Sequence, residues 1–242
     1  MILFNNGSKM KNKQIKKIIS DSLGLTNKKE HVNESFVASK KTYKLNTDML
    51  SAKNKENHFK VYQGYVDTFN RTSAELDTAE RSESNPLHSI YKMTKENEVD
   101  SLNSIWLHEL FFANIGDIHS EISMNSLSFM RLERDFGSFD AWQKDFIACT
   151  SASKSGWSVL GYNMFLNSFM NVVIEGNATN VPMGFIPVIV MDTHQHAYYR
   201  DYMGDIRTYV IAMMKELNWS VIESRFAKVD SMMNPQQTEL GQ

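Results

Sequence analysis

Asp192-Thr193-His194-Gln195-His196-Ala197-Tyr198-Tyr199-Arg200-Asp201-Tyr202 follows directly on an apolar run, residues 185–191, in which Ile186, Val188, Ile189 and Val190 mark a buried strand. Residues 197–202 read as a short helix, so Asp192 and His196 leave the end of a rigid strand together. A carboxylate and an imidazole placed there can turn toward one ion, and that donor pair suits iron, manganese or zinc. A surface turn with a helix cap accounts for Asp-x-x-x-His equally well, so the spacing alone leaves both readings open.

Outward from this block, residues 156–161 and 165–174 read as two further strands, the second closing on the turn pair Gly176-Asn177. Upstream, Asp135-Phe136-Gly137-Ser138 is a turn and N-cap for a helix over about 139–151. An apolar helix over 99–115 ends at Gly116 and contains His108 among Ile105, Trp106, Leu107, Leu110, Phe111 and Phe112. A histidine there is either a hydrogen-bonded core residue or a ligand. A longer helix starts near Lys55, with Phe59, Tyr62, Val66 and Phe69 on one face, continuing toward Leu76, and 81–86 closes on the turn pair Asn85-Pro86. Downstream, helices are expected over 206–217 and about 220–227. Helices first, then three strands with helices around them, is the order of an α+β protein.

Composition narrows the chemistry. Cys149 is the only cysteine, so no internal disulfide and no thiolate metal cluster can form, and oxygen and nitrogen ligands remain. The longest apolar stretch, 184–191, falls far short of the roughly 20 residues of a membrane span. The N-terminus lacks the order of a signal peptide, so a soluble protein is expected, inside the cell or within a large particle. Ten lysines against Asp21, Glu30, Glu34 and Asp48 give residues 1–50 a formal charge of +6 and leave −8 on the rest. A basic arm on an acidic body suits a protein partner, an anionic surface or nucleic acid, or is a solvated tail. Within it, 13–23 can form a short amphipathic helix presenting Ile15, Ile18, Ile19 and Leu23. The expected division is a basic extension 1–50, a helical domain 51–130, an α+β domain 131–230 and a tail 231–242.

The block from Asp192 to Tyr202 closely resembles the Asp-Val-Trp-Glu-His-Ala-Tyr-Tyr block of the iron/manganese superoxide dismutase family. Further landmarks follow in order. Lys60, Tyr65, Val66 and Asn70 resemble its first helix, and Trp106 with His108 its Trp-Asn-His block. Phe136-Gly137-Ser138-Phe139 and Ser155-Gly156-Trp157 resemble its Phe-Gly-Ser-Phe and Gly-Ser-Gly-Trp motifs, and Tyr209, Asn218-Trp219 and Arg225-Phe226 its closing segment. The resemblance spans roughly residues 50–230. It implies an N-terminal helical hairpin followed by an α+β domain with a small three-stranded antiparallel sheet, the metal lying between them.

The family holds its metal with three histidines and one aspartate. His108, Asp192 and His196 match three of these positions. With Lys60 and Tyr65 as register marks, the fourth falls on Asn57, with His58 as its neighbour. One residue of helix turns a side chain by about 100°, so His58 joins the set only through a local rearrangement. Other departures surround the same place. The glutamine that contacts metal-bound solvent is replaced by Ser104 or Thr179, and the gateway histidine by Val61, although the gateway tyrosine is kept as Tyr65. Pocket tryptophans become Val159 and His194, and the glutamate bridging subunits becomes Gln195. These changes predict weak or absent catalysis, iron or manganese in a partial site or no metal, and use as a structural or adaptor component of a homo- or hetero-oligomeric assembly through the arm. An active dismutase is the alternative.

Overall fold

Ser51 opens the first helix by capping it, its hydroxyl accepting the backbone N–H of Asn54 at 3.2 Å. The computed structural model describes residues 36–116 and 120–233. The expected arm helix at 13–23 and the tail beyond 233 lie outside the described residues. Helix α1, Ala52–Thr78, buries Asn54, His58, Tyr62, Val66, Phe69 and Leu76 along one stripe. Helix α2, Ile90–Asn114, is capped by Ser89 and begins nine residues before the expected start at 99. Its first turns bury only Thr94 and Glu98, so they carry no apolar stripe to read. The two helices form a hairpin running in opposite directions: Phe59 stacks on Phe112 at 4.8 Å, while Tyr65, further along α1, meets His108, earlier in α2, at 5.7 Å.

Helix α3, Leu127–Phe136, has no counterpart among the elements expected from sequence. Its start is held from a distance: the Glu223 carboxylate accepts the N–H groups of Leu127 and Ser128 at 2.7 and 2.9 Å. A negative charge there satisfies two orphan donors at the positive end of the helix. Gly137 stops the helix in a left-handed conformation, φ 82°, and Ser138 caps α4, Phe139–Ala152.

Strands β1, Gly156–Asn163, β2, Ser168–Glu175, and β3, Phe185–Asp192, form an antiparallel sheet in the order β2-β1-β3. β2 starts later than expected because Asn163 Oδ1 accepts the N–H groups of Phe165 and Leu166, folding 164–167 into a turn. Every residue of the central β1 is buried. A bulge at Leu160/Gly161 requires the glycine, since a Cβ there would lie 2.4 Å from the Phe185 ring. The register sets Trp157 opposite Asp192, the last residue of β3. Helices α5, Gln195–Tyr202, α6, Ile206–Met214, and α7, Trp219–Met233, complete the α+β architecture, and no described helix is long and apolar enough to cross a membrane.

The last fifteen residues of the basic segment, 36–50, belong to this body. Leu45, Thr47 and Leu50 are buried, Ala38 exchanges hydrogen bonds with the Asn70 amide, and Tyr202 donates to the Met49 carbonyl at 2.8 Å.

Arg225 ties α7 to the end of α2 and to β3. Its guanidinium donates to Asn114 Oδ1, the Val188 carbonyl and the Leu110 carbonyl at 2.5, 2.6 and 3.1 Å, and burial lowers its pKa to about 10. Arg225→Met strands three oxygen acceptors in the interior. We expect it to cost about 3 kcal/mol, read as a lower urea midpoint with little change in slope.

Candidate metal centre

Four elements each deliver one side chain to a single point: His58 from α1, His108 from α2, Asp192 from the end of β3 and His196 from the first turn of α5. One ligand atom from each lies within 4.8 Å of all the others. Asp192 Oδ2 sits at the middle, 2.9 Å from His58 Nε2, 3.1 Å from His196 Nε2 and 3.7 Å from His108 Nε2. Ligands bound at about 2.1 Å around one ion are spaced at about 3.0–3.6 Å, so the Asp192 separations from His58 and His196 are close to that spacing, while the full set, within 4.8 Å, closes further around an ion.

The surroundings suit a cation. His58, His108 and Asp192 are fully buried, and His196 is partly buried. His108 Nδ1 lies 2.7 Å from the Ser104 carbonyl, which accepts only a proton-bearing nitrogen, so the lone pair is on Nε2. That Nε2 has no hydrogen-bond partner and points into the cluster. Burial lowers the pKa of His58 and takes that of His108 to about 3, helped there by the neighbouring His58, so both are neutral ligands in waiting. Burial acts to raise the Asp192 pKa, but the His196 charge and hydrogen bonds from His194, His196 and His58 outweigh it and hold the carboxylate well below its usual range. Burial pulls His196 down, and the Asp192 charge more than reverses it. A buried carboxylate ringed by three imidazoles is a donor set for a redox-capable divalent or trivalent ion.

The expectation that Asn57 occupies the fourth ligand position is corrected. Asn57 is only half-buried, and His58 shares the buried stripe of Asn54, Tyr62, Val66 and Phe69. Lys60 misled the register, since it is an exposed residue paired with Glu56 at 2.5 Å and faces away from the core. Stepping back by fours from Val66 through Tyr62 reaches His58 and Asn54, so the helical period puts His58 on the buried face. Asn54 keeps this face in place by donating from Nδ2 to the Ala197 carbonyl at 3.0 Å, joining α1 to α5 beside both histidines.

Of the two replacements for the family glutamine, Ser104 lies at the centre, its carbonyl and hydroxyl both against His108 Nδ1. Thr179 does not; it is exposed and bridges to Glu175. The amide that does reach the site belongs to Asn177, which sequence reading missed. Its Oδ1 accepts the Trp157 indole N–H at 3.0 Å, and its Nδ2 donates to Asp100 at 3.0 Å and, at a longer 3.4 Å, to the Tyr65 hydroxyl. Trp157 in turn sets its ring edge-to-face with His108 at 4.8 Å. Tyr65 thus stands beside the cluster, while Gln195 is exposed to solvent.

Comparison with known proteins agrees with this geometry. Residues 126–225 match the family model for iron/manganese superoxide dismutases, C-terminal domain. The chain is 32% identical over 187 residues to superoxide dismutase [Fe] of Aquifex aeolicus (strain VF5), covering 76% of this chain and 87% of that one. It is 33% identical over 171 residues to superoxide dismutase [Fe] of Cupriavidus metallidurans, covering 69% and 82%. To superoxide dismutase [Mn] of Mycolicibacterium fortuitum it is 29% identical over 182 residues, covering 75% and 86%.

Proposed function

Since the chain belongs to the iron/manganese superoxide dismutase family, we propose that it is a working superoxide dismutase holding iron or manganese on His58, His108, Asp192 and His196. The observation that carries this reading is His58 Nε2 at 2.9 Å from Asp192 Oδ2, which completes a three-histidine, one-aspartate set. The non-catalytic assembly reading starts from a missing ligand, and the place of His58 in the cluster weighs against it.

Two superoxide anions and two protons become one dioxygen and one hydrogen peroxide. Iron or manganese held by His58, His108, Asp192 and His196 would supply the one-electron chemistry of this exchange. The chain's own part is to hold and to exclude. Neutral His108 offers its Nε2 lone pair without a prior proton loss, neutral His58 does so once its proton passes from Nε2 to Nδ1, and Asp192 brings one negative charge into a buried pocket. The α1–α2 hairpin and the sheet bury the donors, which excludes water from them and lowers the local dielectric. Tyr65 is the catalytic side chain at the approach, its hydroxyl placed by Asn177, whose amide is anchored on Trp157 and Asp100.

The experiment is superoxide consumption by purified chain loaded with iron or with manganese. Catalysis above that of the free ion is expected with at least one metal, and its absence with both contradicts the reading. Asn177→Ala separates positioning from holding. It is expected to keep its metal while kcat/KM falls about tenfold or more. Loss of metal and activity together would instead make Asn177 a structural support of the ligands.

A further inference from the structure

His194 is not among the four converging residues, yet it is bound to one of them more closely than packing requires. Its ring Nδ1 lies 2.9 Å from Asp192 Oδ1, and its backbone N–H donates to the same oxygen at 2.8 Å. The ring is held from both sides. It stacks on His196 at 5.1 Å with 14° between planes and meets Trp157 edge-to-face at 5.4 Å. Since a carboxylate oxygen only accepts, Nδ1 carries the proton. Both lone-pair directions of Oδ1 are therefore spoken for by one residue, while Oδ2 alone faces the three Nε2 atoms of His58, His108 and His196.

We propose that His194 is a positioning residue for the metal, fixing Asp192 so that it ligates through Oδ2 only and drawing electron density from the carboxylate through the ring N–H. This rests on the metal-site reading above and goes beyond it in assigning the redox balance of the bound ion to His194. A hydrogen bond to a ligating carboxylate makes it a poorer donor, which disfavours the trivalent ion more than the divalent one. The orientation it imposes matters most to the divalent ion, whose weaker pull orients the carboxylate less well.

The test compares wild type, His194→Phe and His194→Asn in the full chain. Phenylalanine keeps a ring to stack but has no N–H, whereas the asparagine amide returns an N–H near the place of Nδ1. Divalent iron and manganese affinities are measured by chelator competition, and the midpoint potential of the bound ion by mediated titration. His194→Phe is expected to bind the divalent ion about tenfold more weakly, within the range for groups that orient a ligand. With the trivalent ion little affected, the potential falls by about 59 mV, the one-electron equivalent of that factor. His194→Asn is expected to move both quantities back toward wild type, which a purely space-filling role would not allow. Should His194→Phe fail to fold, as read by circular dichroism of the metal-free chain, His194→Met, equally without an N–H, replaces it. Unchanged affinity and potential in His194→Phe, or no recovery in His194→Asn, overturns this inference while leaving the metal site standing. A wild-type chain that takes up neither metal overturns the metal-site reading, and this inference with it.

Discussion

His58→Ala is expected to abolish metal retention and superoxide consumption together, while Asn57→Ala leaves both at the wild-type level. Groups that merely orient a ligand change affinity by about 10–100-fold, so loss of a ligand itself should exceed about 100-fold. Direction follows from the helix. Asn57 lies half-buried on a different face, whereas His58 is fully buried and its Nε2 touches Asp192. Elemental analysis after dialysis against chelator, followed by the dismutation assay, separates the two variants. The reverse pattern, with Asn57→Ala losing metal and His58→Ala keeping it, would mean that α1 is rotated by one residue from the position described.

The second large effect is acid sensitivity of the metal-free chain. Burial lowers the folded pKa of His58 and takes that of His108 to about 3, while the unfolded chain protonates both near pH 6.5. Below about pH 6.5 the unfolded state takes up protons at both histidines more readily than the folded state, so stability falls as pH falls. Two such groups give a slope of at most about 2.7 kcal/mol per pH unit. His196 has the opposite sign. Its folded pKa is raised by Asp192, so its contribution is fully present below about pH 6.5 and is lost as pH rises through the folded value. Asp192 stays ionised in the folded chain and adds to the acid loss only below its unfolded value, about 3.9. Against a total stability of about 5–15 kcal/mol, two pH units are enough to remove much of the fold. Urea midpoints of the stripped chain should drop steeply between about pH 6 and 4, while the loaded chain, its imidazole nitrogens occupied, holds until the metal leaves. A stripped chain as acid-stable as the loaded one would show that His58 and His108 are not kept neutral by burial.

Most of the scaffold was legible because its signals are local. The apolar run before Asp192, the turn at Gly176-Asn177 and the Ser138 cap each announce themselves within a few residues; β3 and α4 fall where those signals put them, and β2 ends at its turn although it starts later than expected. Helix α3 was not legible. Its local signals are slight, a Ser126 cap that accepts the Phe129 N–H and a Gly137 stop, and the rest of its N-terminal support comes from Glu223, about a hundred residues away. In the site, the residues around Asp192, His196 and His108 leave each open between ligand and structural roles, and the family resemblance is what assigns them. His58 lies on the four-residue period of its own buried stripe, whereas the exposed Lys60 as register mark favours Asn57 and admits His58 only through a rearrangement. Asn177 could not be read from sequence, since its amide reaches Tyr65 and Trp157 through a loop whose path is set by tertiary packing.

The account stands on one ion held by His58, His108, His196 and Asp192. Anomalous diffraction from crystals of the purified chain, collected on both sides of the iron and manganese absorption edges, tests this most directly. The expected result is one anomalous peak at about 2.1 Å from each of the three histidine Nε2 atoms and from Asp192 Oδ2, with Oδ1 turned to His194. A peak bonded to Asn57 with His58 turned away, or no peak among these four side chains in metal-loaded crystals, would contradict it.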